Sequence, residues 1–545
     1  MGGSTHEVTN QPPPLENINL FEQDPALVEA VRREGAAWAE PDLIALGKLA
    51  GTTEVLGWGE EANRHAPSLR SHDRFGHRID EVEFHPAWHR LMALSVEHGV
   101  HAMPWRDPRD GAHAVRAAMM ILVSEVEAGH GCPISMTYAA VPALRVEPTL
   151  AGEWEPRLTS LTYDPRLVSP ARKAGALCGM AMTEKQGGSD VRANTTHAER
   201  VADGEYVLTG HKWFCSAPTS DAFLVLSQSL AGLSCFLLPR VMPDGTRNAF
   251  HIQRLKDKLG NRSNASAEIE LDGAWARLVG EEGRGVQTII EMVNHTRLDC
   301  VLGSTALVRR AVAEATHHAA HRTAFGRLLI DQPLMRNVLA DLCVESEAAT
   351  LTAMRLARAV DEASSSEEAS ALKRLGVAVG KYYVCKAAVG VVAEALECLG
   401  GNGFVEESGM PRLYRETPLN SIWEGSGNVN ALDVLRILTK FPQALEAFFG
   451  EVDGAAGGDH RLDAHVAGLK RKLRDPSGLE AEARRIAEDL ALALQGSLVV
   501  RYSPPEVADA FCASRLGSEG GRAYGTLPAG TRFEAIVDRH RPRLG

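Results

Sequence analysis

The chain has 545 residues, of which 44% are hydrophobic and 23% charged, and its formal net charge is −12. This composition is typical of a globular protein that buries a large core in two to four domains. The acidic balance excludes a protein that wraps nucleic acid over its whole surface, because phosphate contacts require clustered lysine and arginine. Any contact with DNA must therefore be local.

The cysteine pattern and the longest uncharged stretch indicate the cellular compartment. The nine cysteines are scattered and include no CxxC pair, so neither a disulfide framework nor a zinc ribbon is indicated. The first residues lack the apolar segment of a signal peptide, and the longest uncharged run, residues 222–239, is broken by serine, glutamine and glycine. We expect that run to form buried strands and the protein to be cytoplasmic, with no membrane partner and no metal site.

The first half of the chain divides into a helical and a β-rich region. Apolar residues recur at three- and four-residue spacings through residues 26–38 and 113–126, which predicts an all-helical domain over residues 1–170. Short alternating stretches with turn residues between them follow, such as residues 204–209. They predict a compact β domain over residues 171–283.

The second half returns to a helical period. Residues 284–440 are predicted to form a bundle of four long amphipathic helices. These helices are expected at residues 286–321, 332–360, 369–399 and 428–438. Pro442 and the glycine-rich residues 450–458 separate a last helical region, so an extra C-terminal domain is predicted over residues 441–545. The fold class is therefore α+β.

Three short segments carry the chemistry. They are residues 182–190 (MTEKQGGSD), 211–216 (HKWFCS) and 421–428 (SIWEGSGN). The turn at residues 187–189 can expose its backbone N–H groups to the pyrophosphate of a dinucleotide, although a Gly-Gly-Ser sequence is also an ordinary turn. Its spacing does not fit GxGxxG on a strand–helix unit, which disfavours a Rossmann fold.

Over nearly the whole chain, these segments resemble the acyl-CoA dehydrogenase superfamily. The first two segments, together with residues 256–266 (KDKLGNRSNAS), resemble its AidB branch most closely. The resemblance implies an acyl-CoA dehydrogenase fold, with a helical N-terminal domain, a middle β-barrel domain and a C-terminal four-helix bundle to which the extra helical domain is added. It also implies FAD as the cofactor and a homotetramer as the assembly.

The resemblance assigns FAD contacts to all three segments. Trp213 is expected to pack against the ring system and exclude water, and Ser216 to offer its hydroxyl to the ring nitrogen that receives hydride. From the residue alone, Trp213 is equally a core aromatic at a strand end. The assigned residues are Met182, Thr183, Gly188, Ser189, Trp213, Phe214, Cys215, Ser216, Ile422, Trp423, Ser426 and Asn428.

Two further segments resemble contacts with the FAD of a neighbouring subunit. Arg322 and Phe325, followed by Gln332, match a helix end whose arginine pairs with the diphosphate. Gly400 and Gly401 match a turn that lets the backbone approach the adenosine. Arg322 by itself is also typical of a solvated helix residue.

Two acidic residues bear on the reaction and on the cofactor. Glu424 matches the catalytic base of many acyl-CoA dehydrogenases, which removes a proton next to a thioester carbonyl. The alternative is that Glu424 precedes the next helix, with Ser426 or Asn428 as the N-cap. Glu397 stands where most members have glutamine, and a carboxylate near a diphosphate is repelled unless a cation such as Arg322 neutralises it.

The C-terminal region is more basic than the rest of the chain. Acidic and basic residues are equal in number from residue 440 onward, so the preceding residues hold all of the net negative charge. Four such regions in a tetramer could form a groove that follows the phosphate backbone without reading bases, and the resemblance implicates this region in binding double-stranded DNA. A charge run is otherwise typical of a solvated helix face. The basic residues assigned to DNA are Arg436, Lys470, Arg471, Lys472, Arg474, Arg484 and Arg485.

Together with the resemblance, these observations predict a cytoplasmic, homotetrameric flavoprotein that binds FAD and double-stranded DNA and protects DNA from alkylation. A weak dehydrogenase activity on an acyl-CoA of the isovaleryl-CoA kind is expected beside it, with acyl-CoA or a small alkylating molecule as the ligand. One alternative is a metabolic acyl-CoA dehydrogenase without a role on DNA. The other is a flavin oxidase of a small alkylating or nitro compound.

Overall fold

The computed structural model of the chain describes residues 5–474 and 478–544. Its helices are, in chain order, α1 Pro25–Arg33, α2 Glu40–Ala50, α3 Thr53–Arg64, α4 Pro86–Glu97, α5 Met103–Arg106, α6 Ala112–Val126, α7 Gly131–Leu144, α8 Pro148–Leu158, α9 Gly285–His321, α10 Pro333–Glu362, α11 Glu367–Cys398, α12 Met410–Asn420, α13 Gly427–Lys440, α14 Pro442–Asp453, α15 His460–Lys472, α16 Ala483–Tyr502, α17 Pro505–Phe511 and α18 Phe533–His540. Its strands are β1 Ser68–His72, β2 Arg78–Glu83, β3 Cys178–Ala181, β4 His197–Ala202, β5 Glu205–Ser216, β6 Ala222–Ser229, β7 Gly232–Pro239, β8 Phe250–Leu255, β9 Ser266–Val279, β10 Thr323–Ala324 and β11 Arg327–Leu328.

Packing divides the described residues into two compact units. The β unit holds Glu54–Asp299 and Glu424–Ser426. The bundle unit holds Met1–Thr53, Cys300–Trp423 and Gly427–Gly545, as far as these are described. The four domain boundaries expected from the sequence remain predictions, since packing divides the chain at other positions.

A seven-stranded sheet forms the centre of the β unit. Its strands follow the order β3-β6-β4-β5-β9-β7, β8 pairs with β9, and a further pairing of β6 with β7 closes the path on itself. Side chains that point inward are buried, including Leu208, Phe223, Phe236 and Ile269. The β architecture expected for the middle of the chain is confirmed, and residues 222–239 form the buried strands β6 and β7 as expected.

A hairpin interrupts the helices of the N-terminal region. Strands β1 and β2 pair antiparallel, with Leu69 opposite Val82, so the expectation of an all-helical region is wrong there. Their residues are mostly charged or polar and carry no clear apolar alternation, and contacts with β8 hold them instead. Nη2 of Arg78 donates to the carbonyl of Ile252 at 2.8 Å, and the N–H of Ile252 donates to Asp80 at 3.2 Å.

A large apolar core lies in the bundle unit. The four helices predicted for the bundle, α9, α10, α11 and α13, all contribute to it, for example through Leu307, Val379 and Val434. Phe448 of α14 and Leu490 of α16 are buried in the same core. The region predicted as a separate C-terminal domain therefore shares its core with the bundle, because its own short helices bury their apolar faces against α10, α11 and α13.

Helix α11 is long and strongly apolar. By length and composition it could cross a membrane, with a mean hydropathy of 1.4 over its most apolar 18 residues. In the structure 72% of that stretch is buried. Its apolar character is thus accounted for by its place in the core of the bundle.

Candidate active site

Glycines shape the turn that follows β3. Gly187 has a backbone φ of +136°, which favours glycine, and its N–H donates to the carbonyl of Glu184 at 3.0 Å. A Cβ on Gly188 would lie 2.4 Å from Oγ1 of Thr183, so the turn is packed tightly against its own start. Ser189 is exposed, which leaves this end of the turn open to a ligand.

A buried ion pair anchors the turn to β5. Nζ of Lys212 lies 2.7 Å from Oε1 of Glu184, and both side chains are fully buried. The Glu184 carboxylate also accepts the N–H groups of Thr195 and Thr196, at 2.7 and 3.2 Å. Burial lowers the pKa of Lys212 to about 8. Burial alone would raise the pKa of Glu184, but the charge of Lys212 and the hydrogen bonds outweigh it and lower that pKa.

The first two sequence segments meet directly. The N–H of Trp213 donates to the carbonyl of Thr183 at 2.8 Å, which joins β5 to the turn through the main chain. Trp213 is half-buried, and Nζ of Lys256 lies 3.3 Å from the centroid of its ring. The neighbouring Phe214 is 50% exposed. Two aromatic side chains therefore present accessible surface beside the turn, so Trp213 is not a core aromatic.

The end of β5 divides its side chains between two faces. Cys215 is fully buried in the core of the sheet, and burial raises the pKa of its thiol to about 12. Ser216 takes the opposite face, because successive side chains of a strand alternate, whereas the pairing of β5 with β9 is irregular between Lys212 and Cys215. Oγ of Ser216 lies 3.4 Å from Oγ of Ser266. The Cys215 side chain is therefore closed to a cofactor, whereas Ser216 is half-buried and keeps part of its surface accessible.

Glu424 is held by helix α9. Its backbone φ is +58°, a region that residues other than glycine seldom adopt and that concentrates at functional sites. Oγ1 of Thr296 donates to Oε2 of Glu424 at 2.7 Å, and Nε of Arg297 donates to its carbonyl at 3.0 Å. Helix α13 begins three residues later, at Gly427. The orientation of the carboxylate is thus set by α9 as well as by its place before a helix.

Cys132 is buried, and groups of the second and third segments influence the pKa of its thiol. Burial is the main reason that the pKa of its thiol is raised to about 12, and the Glu424 carboxylate acts in the same direction. Lys258 and hydrogen bonds to Asn264 and Ser216 act in the opposite direction. Burial therefore keeps the Cys132 thiol protonated near neutral pH.

These groups fit a flavin. The turn offers an open, glycine-shaped backbone, Trp213 and Phe214 offer aromatic surface, and Ser216 offers a hydroxyl. Met182, whose carbonyl accepts the side chain of Asn194 at 2.9 Å, stands half-buried at the start of the turn. The Glu424 carboxylate, held by the hydroxyl of Thr296 at 2.7 Å, can act as a general base.

Arg322, Phe325 and Gln332 lie in the bundle unit. Phe325 is fully exposed at the tip of the hairpin of β10 and β11, with a φ of +52°. Nη1 of Arg322 donates to the carbonyl of Asn10 at 2.5 Å, and Nε2 of Gln332 donates to the carbonyl of Ala324 at 3.1 Å. These bonds position the hairpin within the unit. Contact with the FAD of a second subunit stays a prediction.

The glycine turn of the bundle unit lies directly after α11. Gly400 and Gly401 belong to the 3₁₀ turn Gly400–Phe404. Glu397 is exposed in the last turn of α11, and burial together with the charge of Glu397 raises the pKa of Glu394. The end of α11 is therefore acidic, as the departure at Glu397 led us to expect.

The third segment contributes to both units. Ser426, in the β unit, is exposed. In the bundle unit Ile422 is 61% exposed, the carbonyl of Trp423 accepts Nζ of Lys381 at 2.9 Å, and Oδ1 of Asn428 accepts Nε of Arg484 at 2.7 Å. Arg484, predicted to bind DNA, is thus engaged with the segment itself.

Most of the other cations predicted to bind DNA form ion pairs. These pairs are Lys470 with Asp453 at 2.6 Å, Lys472 with Glu482 at 2.5 Å, Arg485 with Asp489 at 2.9 Å, and Arg436 with Asp433. Within residues 5–474 and 478–544, Arg471 and Arg474 form no ion pair and are exposed. The charge available to phosphate is therefore smaller than the number of basic residues suggests.

Sequence reasoning missed the residues that hold the site together. Thr296 and Arg297 orient Glu424, and Glu184 with Lys212 anchors the turn. Glu184 and Lys212 stand inside the first two segments, so their opposite charges were an available signal. Thr296 and Arg297 gave none, because an ordinary helix carries many such residues.

Comparison with known proteins covers most of the chain. The family described as "Adaptive response protein AidB N-terminal domain" matches residues 10–165. "Acyl-CoA dehydrogenase, middle domain" matches residues 179–274, and "Acyl-CoA dehydrogenase, C-terminal domain" matches residues 283–439. The matched families follow the same order as the helical, β and bundle regions of the sequence.

Individual relatives extend over similar lengths. The chain is 48% identical over 523 residues to the AidB protein of Escherichia coli (strain K12), covering 96% of each. It is 32% identical over 524 residues to acyl-CoA dehydrogenase family member 11 of Caenorhabditis elegans, covering 89% of this chain and 84% of that protein.

Solved structures agree with this relationship. The crystal structure of Caenorhabditis elegans ACDH-11 in complex with C11-CoA is 29% identical, with a TM-score of 0.86 over 95% of this chain and 94% of that one. An acyl-CoA dehydrogenase complexed with FAD from Bacillus anthracis, 19% identical with a TM-score of 0.62 over 84% of this chain and 87% of that one, shows the shared fold alone. The fold expected from the resemblance is confirmed, and the family's cofactor is FAD. The chain belongs to the acyl-CoA dehydrogenase family, in its AidB branch.

Proposed function

We propose that the protein oxidises acyl-CoA thioesters with FAD. The observation that carries this proposal is the Glu424 carboxylate, which Thr296 holds at 2.7 Å within the unit that also contains Trp213 and Ser216. The similarity to a structure in complex with C11-CoA supports the class of ligand. A base, an aromatic wall and a hydroxyl donor in one unit are the groups that this oxidation requires.

In the proposed reaction the carboxylate of Glu424 takes the proton from Cα of the acyl thioester. Thr296 and Arg297 fix the carboxylate and its backbone, so the base does not reorganise during the transfer. Trp213 and Phe214 exclude water from the reacting atoms. When bound, FAD supplies the acceptor for the hydride that leaves Cβ, which balances the two electrons of the new Cα=Cβ bond.

The test is anaerobic mixing of the FAD-loaded protein with saturated acyl-CoA thioesters of different chain lengths. We expect the visible flavin absorbance to bleach, and Glu424→Gln to slow bleaching by about 100-fold or more while it retains FAD. Glu291→Gln, which changes another half-buried carboxylate near the start of α9, is the matched control. The proposal is contradicted if the flavin of Glu424→Gln bleaches at the wild-type rate. It is also contradicted if no thioester bleaches the flavin of the wild type.

We also propose that the protein binds double-stranded DNA and protects it from alkylation. The match of residues 10–165 to a family described as an adaptive response protein supports this role. Arg471 and Arg474 supply exposed charge that no ion pair in the described residues neutralises. Backbone phosphates are the natural partners of such side chains.

Salt dependence tests the DNA proposal. In Arg471→Glu with Arg474→Glu, affinity for duplex DNA should fall, and the slope of log affinity against log salt should flatten by about 2. Arg200→Glu with Arg247→Glu, two exposed cations of the β unit, is the control and should leave the slope unchanged. An equal slope in wild type and in the Arg471 and Arg474 variant contradicts the proposal. Protection is measured as methylated bases in plasmid DNA treated with a methylating agent.

We propose a homotetramer in the cytoplasm as the working form. Large apolar side chains are exposed on the bundle unit, with Phe325 at 100%, Leu334 at 83% and Phe404 at 82%, and such exposure is typical of interfaces. All nine cysteines are free and buried, as suits a reducing compartment. Light scattering should report about four times the chain mass of 58.8 kDa, and a monomer would contradict this assembly.

A further inference from the structure

Three metal-ligating side chains meet outside the candidate active site. Glu61 lies in the last turn of α3, His65 follows the helix, and His85 directly precedes α4. One ligand atom from each lies within 4.8 Å of the others. We propose that Glu61, His65 and His85 bind a divalent first-row metal ion, and Zn²⁺ in particular, where the sequence led us to expect no metal.

The two ligands at the end of α3 are already aligned. Nε2 of His65 lies 3.3 Å from Oε2 of Glu61, which is close to the separation of neighbouring ligands around a tetrahedral zinc with bonds of about 2.0–2.2 Å. Nη1 of Arg64 lies 3.1 Å from the other oxygen, Oε1. Arg64 therefore orients the carboxylate as an outer partner and leaves Oε2 directed at His65.

The ring of His85 stacks on the ring of His65. The rings of His65 and His85 have centroids 4.8 Å apart and planes 16° from parallel. Nδ1 of His85 accepts the N–H of Ala87 at 3.3 Å, as the N-cap of α4. When a metal ion binds one ring nitrogen of His85, the other ring nitrogen carries the proton. In either case Nδ1 has no free lone pair for the N–H of Ala87, so this long cap bond is lost when the ion binds. Because stacked rings direct their in-plane lone pairs nearly parallel, His85 must also turn out of the stack to complete the set.

The donor set and its exposure select the ion. Two imidazole nitrogens and one carboxylate oxygen are typical zinc ligands and leave a fourth position for water. Mg²⁺ and Ca²⁺ prefer sites made of oxygen alone. The side chains of His65 and Glu61 are 53% and 42% exposed, so an ion reaches them from solvent.

The position of the site in the chain indicates a structural role. His65 precedes the hairpin of β1 and β2, and His85 follows it, so one ion ties the chain on both sides of the hairpin base. Closing this loop restricts the hairpin where its own polar strands hold it weakly. Asp80 and Arg78 attach the other part of the hairpin to β8.

Zinc titration of the full-length, FAD-loaded protein tests the proposal after treatment with a chelator. The wild type should bind one equivalent by calorimetry. Loss of an outer partner costs about 10–100-fold in metal affinity, so Glu61→Gln, His65→Asn and His85→Asn should each weaken binding by about 100-fold or more. His197→Asn is the matched control, because His197 is also 53% exposed and lies 3.6 Å from a glutamate, Glu199. Circular dichroism and flavin absorbance check that each variant folds.

Hydrogen–deuterium exchange gives a second measurement. Zinc should slow exchange in residues 66–84 of the wild type and of His197→Asn, but not in the three ligand variants. Mg²⁺ in the same titration should have no effect. A wild type without saturable zinc binding, or ligand variants that bind zinc with unchanged affinity, overturns the proposal.

Discussion

Oγ1 of Thr296 donates to Oε2 of Glu424 at 2.7 Å, and the next residue of α9, Arg297, donates to the Glu424 carbonyl at 3.0 Å. Two consecutive side chains of one helix thus hold both the carboxylate and the main chain of the proposed base. The φ of +58° at Glu424 persists because neither part of the residue can relax alone.

Removing the hydroxyl of Thr296 should slow the proposed oxidation. Thr296→Val keeps the shape of the side chain and removes one hydrogen bond to a charged group, so kcat with acyl-CoA should fall by about tenfold. Thr296→Ser should retain most of the activity, and FAD content should not change. The control is Thr288→Val on the same helix, since Oγ1 of Thr288 reaches only the carbonyl of Arg284 at 3.4 Å. A kcat in Thr296→Val equal to that of the wild type would show that the bond has no catalytic role.

A methyl group on the turn should weaken FAD binding. In Gly188→Ala the new Cβ would lie 2.4 Å from Oγ1 of Thr183, and the shift that relieves this overlap costs about 1–3 kcal/mol. The dissociation constant of FAD should rise by about tenfold or more, as measured by fluorescence titration of the apoprotein. Gly57→Ala is the control, because its new methyl group would meet no atom of the described residues within 4 Å apart from its chain neighbours and the backbone of its own helix. Equal FAD affinity in both variants would remove the turn from the cofactor site.

The ion pair of Lys212 and Glu184 should stabilise the β unit only as a pair. Lys212→Met leaves a buried carboxylate without its partner, which should cost about 3–5 kcal/mol of unfolding free energy. Lys212→Met with Glu184→Gln should lose less, because no charge stays buried. Arg284→Met breaks an exposed pair with Glu281 at 2.9 Å and should cost about 1 kcal/mol or less. Urea unfolding of the wild type and these three variants measures the differences in unfolding free energy. A double variant less stable than Lys212→Met would contradict this account.

Glu127 should make stability depend on acid pH. Its carboxylate accepts the N–H groups of Gly129 and His130, both at 2.8 Å, and Oγ of Ser263 at 2.7 Å. Burial opposes ionisation, but His130 and these bonds lower the pKa of Glu127 to about 2 from its usual 4.5. Between these values the unfolded chain binds more protons, so the stabilisation is complete above about pH 4.5 and is lost as the pH falls towards 2.

Thermal unfolding at pH 5 and at pH 3.5 measures this effect. Glu127→Gln should lose stability at pH 5 and should show a smaller drop on acidification than the wild type. Glu199→Gln, a control at a 74% exposed carboxylate, should keep the wild-type drop. An equal drop in Glu127→Gln would assign the acid sensitivity to other groups.

The long helices were predictable because each buries a continuous apolar face. Helix α9 was expected at residues 286–321 and is found at Gly285–His321, and α11 was expected at residues 369–399 and is found at Glu367–Cys398. The hairpin of β1 and β2 was not predictable, since Arg78 and Asp80 stabilise it through bonds to β8 that lie far away in the sequence.

By itself the sequence determined the family, the order of helical and β regions, and the three site segments, one of which contains Glu424. Each of these features could be predicted because its residues are contiguous in the chain. The tertiary structure decided which side chains support them. Thr296 is 128 residues from Glu424, and Lys212 is 28 residues from Glu184. Hydrogen bonds and ion pairs depend on separation in space, and the periodicity of a sequence does not contain that distance.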